Sequence, residues 1–405
     1  MTKILKSNLL RGFKYPNFIY YFSGQLIGFT GRWIQRTALS WYIYNLTNSI
    51  FWLGMIGFVS QIPSFIITPF AGYLADHYSK IKLLKYSQFI SFIQAFTLAT
   101  TIISQHANIT VILCFSFFLG SIESFEAPIR HSLVSSLAPD KSLIGNAIAI
   151  NASIFNGARF IGPAIAGFLI SSLGEGYCFL INAFCYIVVL SALFKVNIPY
   201  TKFVDKSNNP LKNIYQGLVY IYQNKTILFF IINVAIFTTF GFSYIVLLPA
   251  IARDILSGNA KTLGYIMTMI GLGALTGAII LGSRKNTIGI TQFIVNAGFI
   301  ACAALAILAI SKNFYTTAVL AYVCGLTLMI QNAGANILIQ TLVIDSMRGR
   351  VLSIYSMAFL GFTPIGSLIA GTISTHIGVT KTMLFSVSIL FIACLLLRKK
   401  KLSTL

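Results

Sequence analysis

The sequence predicts an all-α integral membrane fold, with twelve transmembrane helices in two pseudo-symmetric six-helix bundles. Three observations carry this expectation. Hydrophobic residues make up 57% of the 405 positions and charged residues only 9%, the composition of a membrane protein. The apolar residues fall in blocks of roughly 18 to 28, each long enough to cross a hydrocarbon core of about 30 Å as a helix. The two halves also share an internal register. Strand-length alternation is absent, which argues against a barrel.

In chain order the spans are 17–44, 51–75, 82–104, 109–133, 144–170, 177–194, 226–252, 263–282, 289–310, 315–340, 351–375 and 381–397. The loops between them alternate in charge. With a cytoplasmic N-terminus, 22 of the 29 Lys and Arg fall in inner segments, running from Lys3 through Lys80, Arg130 and Lys225 to Lys401. Outer loops hold only Arg253, Lys261, Lys312 and Lys381, and Arg32, Arg36 and Arg159 lie within spans. The positive-inside rule thus puts both termini in the cytoplasm. The net charge of +21 is a topology signal with attraction to anionic membrane lipid as a secondary effect, and nucleic acid is not an expected partner. The first block is too long for a signal-peptide core and lacks a small-residue cleavage site, so the first helix is expected to be retained. The six cysteines sit in or at the edges of spans without C-x-x-C spacing and read as packing residues.

The longest cytoplasmic connection divides six spans from six, giving bundles at 1–200 and 226–405 joined by a linker at 201–225. Gly120 precedes Asp140 by 20 residues, and Gly325 precedes Asp345 by 20, an offset of 205 between halves. Gly167 and Gly174 bracket FLISSL as Gly371 and Gly378 bracket TISTHI. Parallel repeats of this kind occur in transporters. Small-residue runs such as GPAIAG, 162–167, suit close helix packing.

The stretch GYLADHYSKIKLL, 72–84, ends the second span and resembles the signature loop of the major facilitator superfamily, with His77 where Arg is usual and Ser79 where Gly is frequent. The resemblance implies that Asp76 holds one state of a transport cycle at the cytoplasmic face. Three further stretches, GRWIQRTALSWYIYNLTNS, FEAPIRHSLVSSLAPD and NGARFIGPAIAG, are similar to the exporter branch that contains the enterobactin exporter and the macrolide efflux proteins. In the second half DSMRGRV, 345–351, resembles the matching cytoplasmic turn. Structural or gating roles are thereby implied for Asp76, Arg130, Arg159, Gly162, Pro163, Asp345, Arg348 and Arg350. Arg32 and Arg36 stand outside that pattern, where uncharged residues are usual.

A charge at mid-membrane costs about 2.5 to 3.5 kcal/mol on insertion scales and normally faces protein or a wet cavity. Arg32, Arg36, Glu123, Glu126 and Arg159 qualify, all in the first half. Arg32 and Arg36 share a helix face, which Gln25 extends, and Glu126 is spaced to pair with Arg130. The family fold puts the first and fourth helices beside the central cavity. The arginines then bind either an anionic substrate group or the two glutamates. Three cations against two acids favour a small-molecule cargo bearing carboxylate, phosphate or acidic phenol, such as a siderophore, recognised by Arg32, Arg36 and Gln25. The other reading is a neutral network that braces helices.

No nucleotide-binding loop is present, and His77, His106, His131 and His376 form no metal spacing. An enzyme is not expected, nor a cofactor. The simplest energy source is proton antiport through Glu123 and Glu126. The sequence thus points to a monomeric exporter of the bacterial inner membrane, working by alternating access. Macrolide or multidrug efflux is the near alternative, with siderophore uptake and lysolipid movement behind it.

Overall fold

The computed structural model describes residues 12–137, 143–198, 210–284 and 288–403, and among these every regular element is a helix. In order they are α1 Pro16–Thr47, α2 Ile50–Val59, α3 Pro63–His77, α4 Lys80–Ile103, α5 Ile109–Leu137, α6 Ile144–Leu173, α7 Glu175–Lys195, α8 Pro210–Gln223, α9 Lys225–Ile236, α10 Tyr244–Ala250, α11 Ala260–Gly282, α12 Ile290–Ile310, α13 Phe314–Leu342, α14 Arg348–Ile377 and α15 Val379–Ser403. Two π-helical turns, Phe237–Gly241 and Ile251–Ile255, flank α10.

Among the described residues, eleven helical segments are long and apolar enough to cross a membrane. They correspond to the predicted spans from the second onward. The second is broken rather than continuous, because α2 ends before Pro63, a residue suited to the first turn of a new helix. The predicted first span is α1, whose 32 residues are ample in length but less apolar than any of the eleven. Its polar load, Gln25, Arg32, Gln35 and Arg36, is the reason.

The repeat is built into helix lengths. Helices α5 and α13 each have 29 residues, and α6 and α14 each have 30. The latter pair stop at Gly174, φ 92°, and Gly378, φ 82°, a backbone region open to glycine at little steric cost. The second glycine of each bracketing pair therefore makes the turn that starts α7 or α15.

The chain forms two compact units, Met1–Tyr42 with Ile62–Asp205, and Ile43–Gln61 with Lys206–Leu405. A division of the sequence into halves would put Ile43–Gln61 in the first. It groups with the second because α2 lies on α14, with Gly54 against Gly371 and Gly57 against Ser367. In lipid, helices gain little from hydrophobic transfer onto one another, so close packing and polar contacts hold each unit. The first unit packs Phe18, Phe22, Leu84, Ile129, Leu133 and Val189 together. The second packs Ile227, Val234, Val295, Ile339, Val351 and Leu397.

Candidate functional site

The charged residues singled out by depth meet inside the first unit. Glu126 of α5 is buried and accepts three donors. Arg32 Nη2 of α1 lies 3.0 Å from its Oε1, Arg130 Nη1 lies 2.6 Å from the same oxygen, and Gln88 Nε2 of α4 lies 2.7 Å from Oε2. Both guanidiniums also cover the ring of Phe29, at 5.1 Å for Arg32 and 4.9 Å for Arg130. Phe29 is held in turn edge-on against Phe155 of α6 at 5.3 Å. A carboxylate taken from water needs such a ring of donors, since the desolvation cost is several kcal/mol per ion unless other groups replace the lost hydration.

One turn along α1, Arg36 Nη2 pairs with Glu123 Oε2 at 2.5 Å. This pair differs from the first in exposure: the Arg36 side chain is 51% exposed and that of Glu123 21%, against 8% for Arg32 and 1% for Glu126. The spacing on each helix explains the pairing. Two positions four apart on α1 face two positions three apart on α5, so each arginine finds its own acid.

Arg36 also lies 5.5 Å from the Trp33 ring, and Arg159 of α6 lies 5.7 Å from it. Trp33 is seated by Gly162, where an added Cβ would overlap the Trp33 Cβ. Pro163 follows within α6, and both residues are buried. The motif holding Arg159, Gly162 and Pro163 thus fixes α6 against α1 at the level of the arginines.

Arg130 corrects the expected charge tally. Expected among the inner-segment cations, it lies within α5 and is buried. Four cations therefore stand against two acids, a larger positive surplus than expected. Gln25 is buried on the same face of α1, and its Oε1 has no hydrogen-bond partner among the described residues. Gln35 accepts from Asn182 of α7 at 2.5 Å. Gln88, Phe29 and Asn182 were not singled out by sequence. A neutral side chain in a helix carries no mark of the partner it will meet.

The second unit carries the neutral counterpart. Gln331, 205 positions after Glu126, donates to Asn233 at 2.8 Å, and both are buried. The same place in the repeat is ionic in one unit and uncharged in the other.

The remaining predicted residues are on other elements. Asp76 falls near the end of α3, and its side chain lies outside the described residues. Asp345 and Arg348 form an exposed pair at 2.7 Å where α14 begins, and Arg350 Nη1 lies 3.1 Å from Met347 Sδ. Arg253, expected in an outer loop, sits in the second π turn. It stacks on the Tyr44 ring at 4.0 Å, donates to the Tyr44 carbonyl at 3.3 Å and pairs with Asp254 at 2.9 Å. The Tyr44 hydroxyl donates to the same Asp254 carboxylate.

The helical architecture matches that of the nucleoside transporter NupG with a TM-score of 0.73 at 13% identity, over 95% of this chain and 98% of that one. The fold is that of the major facilitator transporters, and the chain is a multi-pass membrane protein of that class. The family described as transmembrane secretion effectors matches residues 10–405, and the chain belongs to that family. It is similar to the staphyloferrin A transporter of Staphylococcus aureus (strain NCTC 8325 / PS 47), 28% identical over 90% of this chain and 91% of that protein. It is also similar to macrolide efflux protein A of Streptococcus pyogenes, 24% identical over 92% and 94%.

Proposed function

We propose that this transporter exports an anionic small molecule of the siderophore type across the bacterial cytoplasmic membrane, by alternating access, with both termini in the cytoplasm. The observation that carries the reading is the half-exposed Arg36 beside Glu123, backed by a buried cluster with surplus positive charge. Similarity to a staphyloferrin A transporter supports the cargo class. Arg36 is the residue that meets the cargo, because its guanidinium can exchange the Glu123 carboxylate for a planar anionic group of the cargo. Arg32 and Gln25 act behind it as positioning residues, since both are buried.

Protons enter through the same pair. Cargo and Glu123 are rival acceptors for Arg36, so protonating Glu123 frees the arginine. Antiport therefore rests on which states reorient: the carrier crosses with a proton on Glu123 or with cargo on Arg36, and not with both. Glu126 holds the arginines in place and has a smaller share in proton movement.

Macrolide or mixed-drug efflux is a second reading, favoured by one observation: Arg32 and Arg36 already have acid partners, as bracing residues would. The test is export of a carboxylate siderophore, a catecholate siderophore and a neutral macrolide from cells carrying wild type or Arg36→Gln at matched protein levels. Loss confined to the anionic cargoes is expected. Equal loss for all three, or none, sinks the cargo proposal. In vesicles, Glu123→Gln, fixed in the neutral form that frees Arg36, is expected to bind cargo but not to carry it in response to a pH gradient, and gradient-driven transport intact in that variant removes the proton assignment.

A further inference from the structure

Two buried arginines of the first unit share one acid. Among the described residues the ion pairs of Arg32 and Arg130 run to Glu126 alone, and each arginine spends one N–H on the same oxygen. The three side chains are 8, 11 and 1% exposed, so one elementary positive charge is enclosed without a counterion. Glu123 does not balance it, being paired with Arg36. An enclosed ion without a counterion is among the costliest arrangements a protein interior can hold, and surrounding lipid does nothing to lower that cost.

The surplus charge coincides with donors that find no partner. A guanidinium presents its N–H groups at the edge of a plane. Phe29 covers the faces of both guanidiniums, which leaves the edges, and the Nε atoms of Arg32 and Arg130 are buried without a hydrogen-bond partner among the described residues. The same holds for the hydroxyl of Tyr21, a residue 1% exposed and within electrostatic reach of Arg130, Glu126 and Arg32. Tyr21 precedes Arg32 by eleven positions, about three turns along one face of α1. Two acceptors, Gln25 Oε1 and Gln88 Oε1, are unpartnered as well. Arg32, Arg130 and Gln88 all touch the Glu126 carboxylate, so their unused atoms lie close together around it. Buried polar groups are nearly always satisfied, and a group of exceptions at one place calls for a bound ion or water.

We propose that the first unit binds a small monovalent inorganic anion, of the chloride class, at the N–H edges of Arg32 and Arg130 with the Tyr21 hydroxyl as a further donor. Such an ion cancels the surplus charge and accepts charge-assisted hydrogen bonds from the unused donors. Water alone would serve the donors and leave the charge. Gln25 and Gln88 offer acceptors, which suit a water that accompanies the ion. The ion is a fixed counterion of the first unit, separate from the half-exposed Arg36 one turn further along α1, and the site stands whether or not the cargo is anionic.

The test is equilibrium binding of radiolabelled chloride to the full-length protein in detergent, prepared in gluconate, an anion too large for a buried site. One saturable chloride per chain is expected, displaced by bromide and not by gluconate. Tm is expected to rise with the logarithm of chloride concentration, by about 5–11 °C at about 100 times Kd. Tyr21→Phe keeps the ring packed edge-on against Phe22 and weakens binding about tenfold or more. Arg130→Gln leaves Arg32 paired with Glu126 and removes the surplus charge, so it abolishes both binding and the chloride dependence of Tm, whereas Arg36→Gln changes neither. If Arg130→Gln does not yield folded protein, Tyr21→Phe decides alone. Absence of saturable chloride binding overturns the proposal and leaves the cluster to water. Equal affinity in wild type and Tyr21→Phe also overturns it, because the ion then sits elsewhere. Displacement of the chloride by excess carboxylate siderophore does the same, and would assign the cluster to the cargo.

Discussion

Replacing Glu126 by Gln keeps the shape of the side chain and removes its charge. Arg32 and Arg130 are then left sharing one neutral amide, both buried, with Gln88 competing for the same acceptor. Removing one partner of a buried pair costs about 3–5 kcal/mol. At about 2–4 °C per kcal/mol for a unit of 150–250 residues, that lowers Tm by roughly 6–20 °C. Arg32→Gln is milder, because Glu126 keeps Arg130 and Gln88; loss of one hydrogen bond to a charged group is worth about 1.5–3 kcal/mol. Arg36→Gln is milder still, about 0–1 kcal/mol, since that pair is exposed. The assay is thermal unfolding of the detergent-solubilised protein, read by size exclusion after heating. The ranking is the test: Glu126→Gln below Arg32→Gln below Arg36→Gln. A Glu126→Gln protein that melts with the wild type, or above Arg36→Gln, refutes the claim that the buried cluster holds the first unit together.

Gly162→Ala forces the α6 backbone away from Trp33 and is expected to cost about 1–3 kcal/mol, as overpacking does; a lower Tm together with altered tryptophan emission checks it. Tyr44→Phe removes the hydroxyl that donates to Asp254 and is expected to cost about 0.5–1.5 kcal/mol. Arg253→Ala should cost more, because the ring stack and the bond to the Tyr44 carbonyl go with it; an equal loss in the two variants would show that the tyrosine hydroxyl alone secures this corner.

The spans were legible because an apolar block of membrane length has few other uses, and the repeat because glycine turns are conspicuous. Residue depth also brought Arg32 and Arg36 to the level of Glu123 and Glu126. Burial of Arg130 was not legible, since it stands beside His131 near a span end and reads as a loop cation. Gln88 is hidden for a different reason: its partner is 38 positions away and it carries no charge. The grouping of α2 with α14 depends on Gly54 meeting Gly371, a long-range fit that no local pattern announces. The two π turns beside α10 depend likewise on tertiary packing.

The ion pairs of α1 set a problem of timing during synthesis. Arg36 and Arg32 leave the ribosome 87 and 94 residues ahead of Glu123 and Glu126. At about 5–20 residues per second, the wait is roughly 4–19 s. Throughout it α1 carries two unneutralised guanidiniums, worth about 5–7 kcal/mol against entry into lipid, on a helix less apolar than those that follow. The first helix made thus cannot settle until α5, the fourth span, has emerged. A nascent chain cut before α5 would leave α1 at the insertion machinery or the membrane surface, and emergence of α5 is the event that commits it to the bilayer.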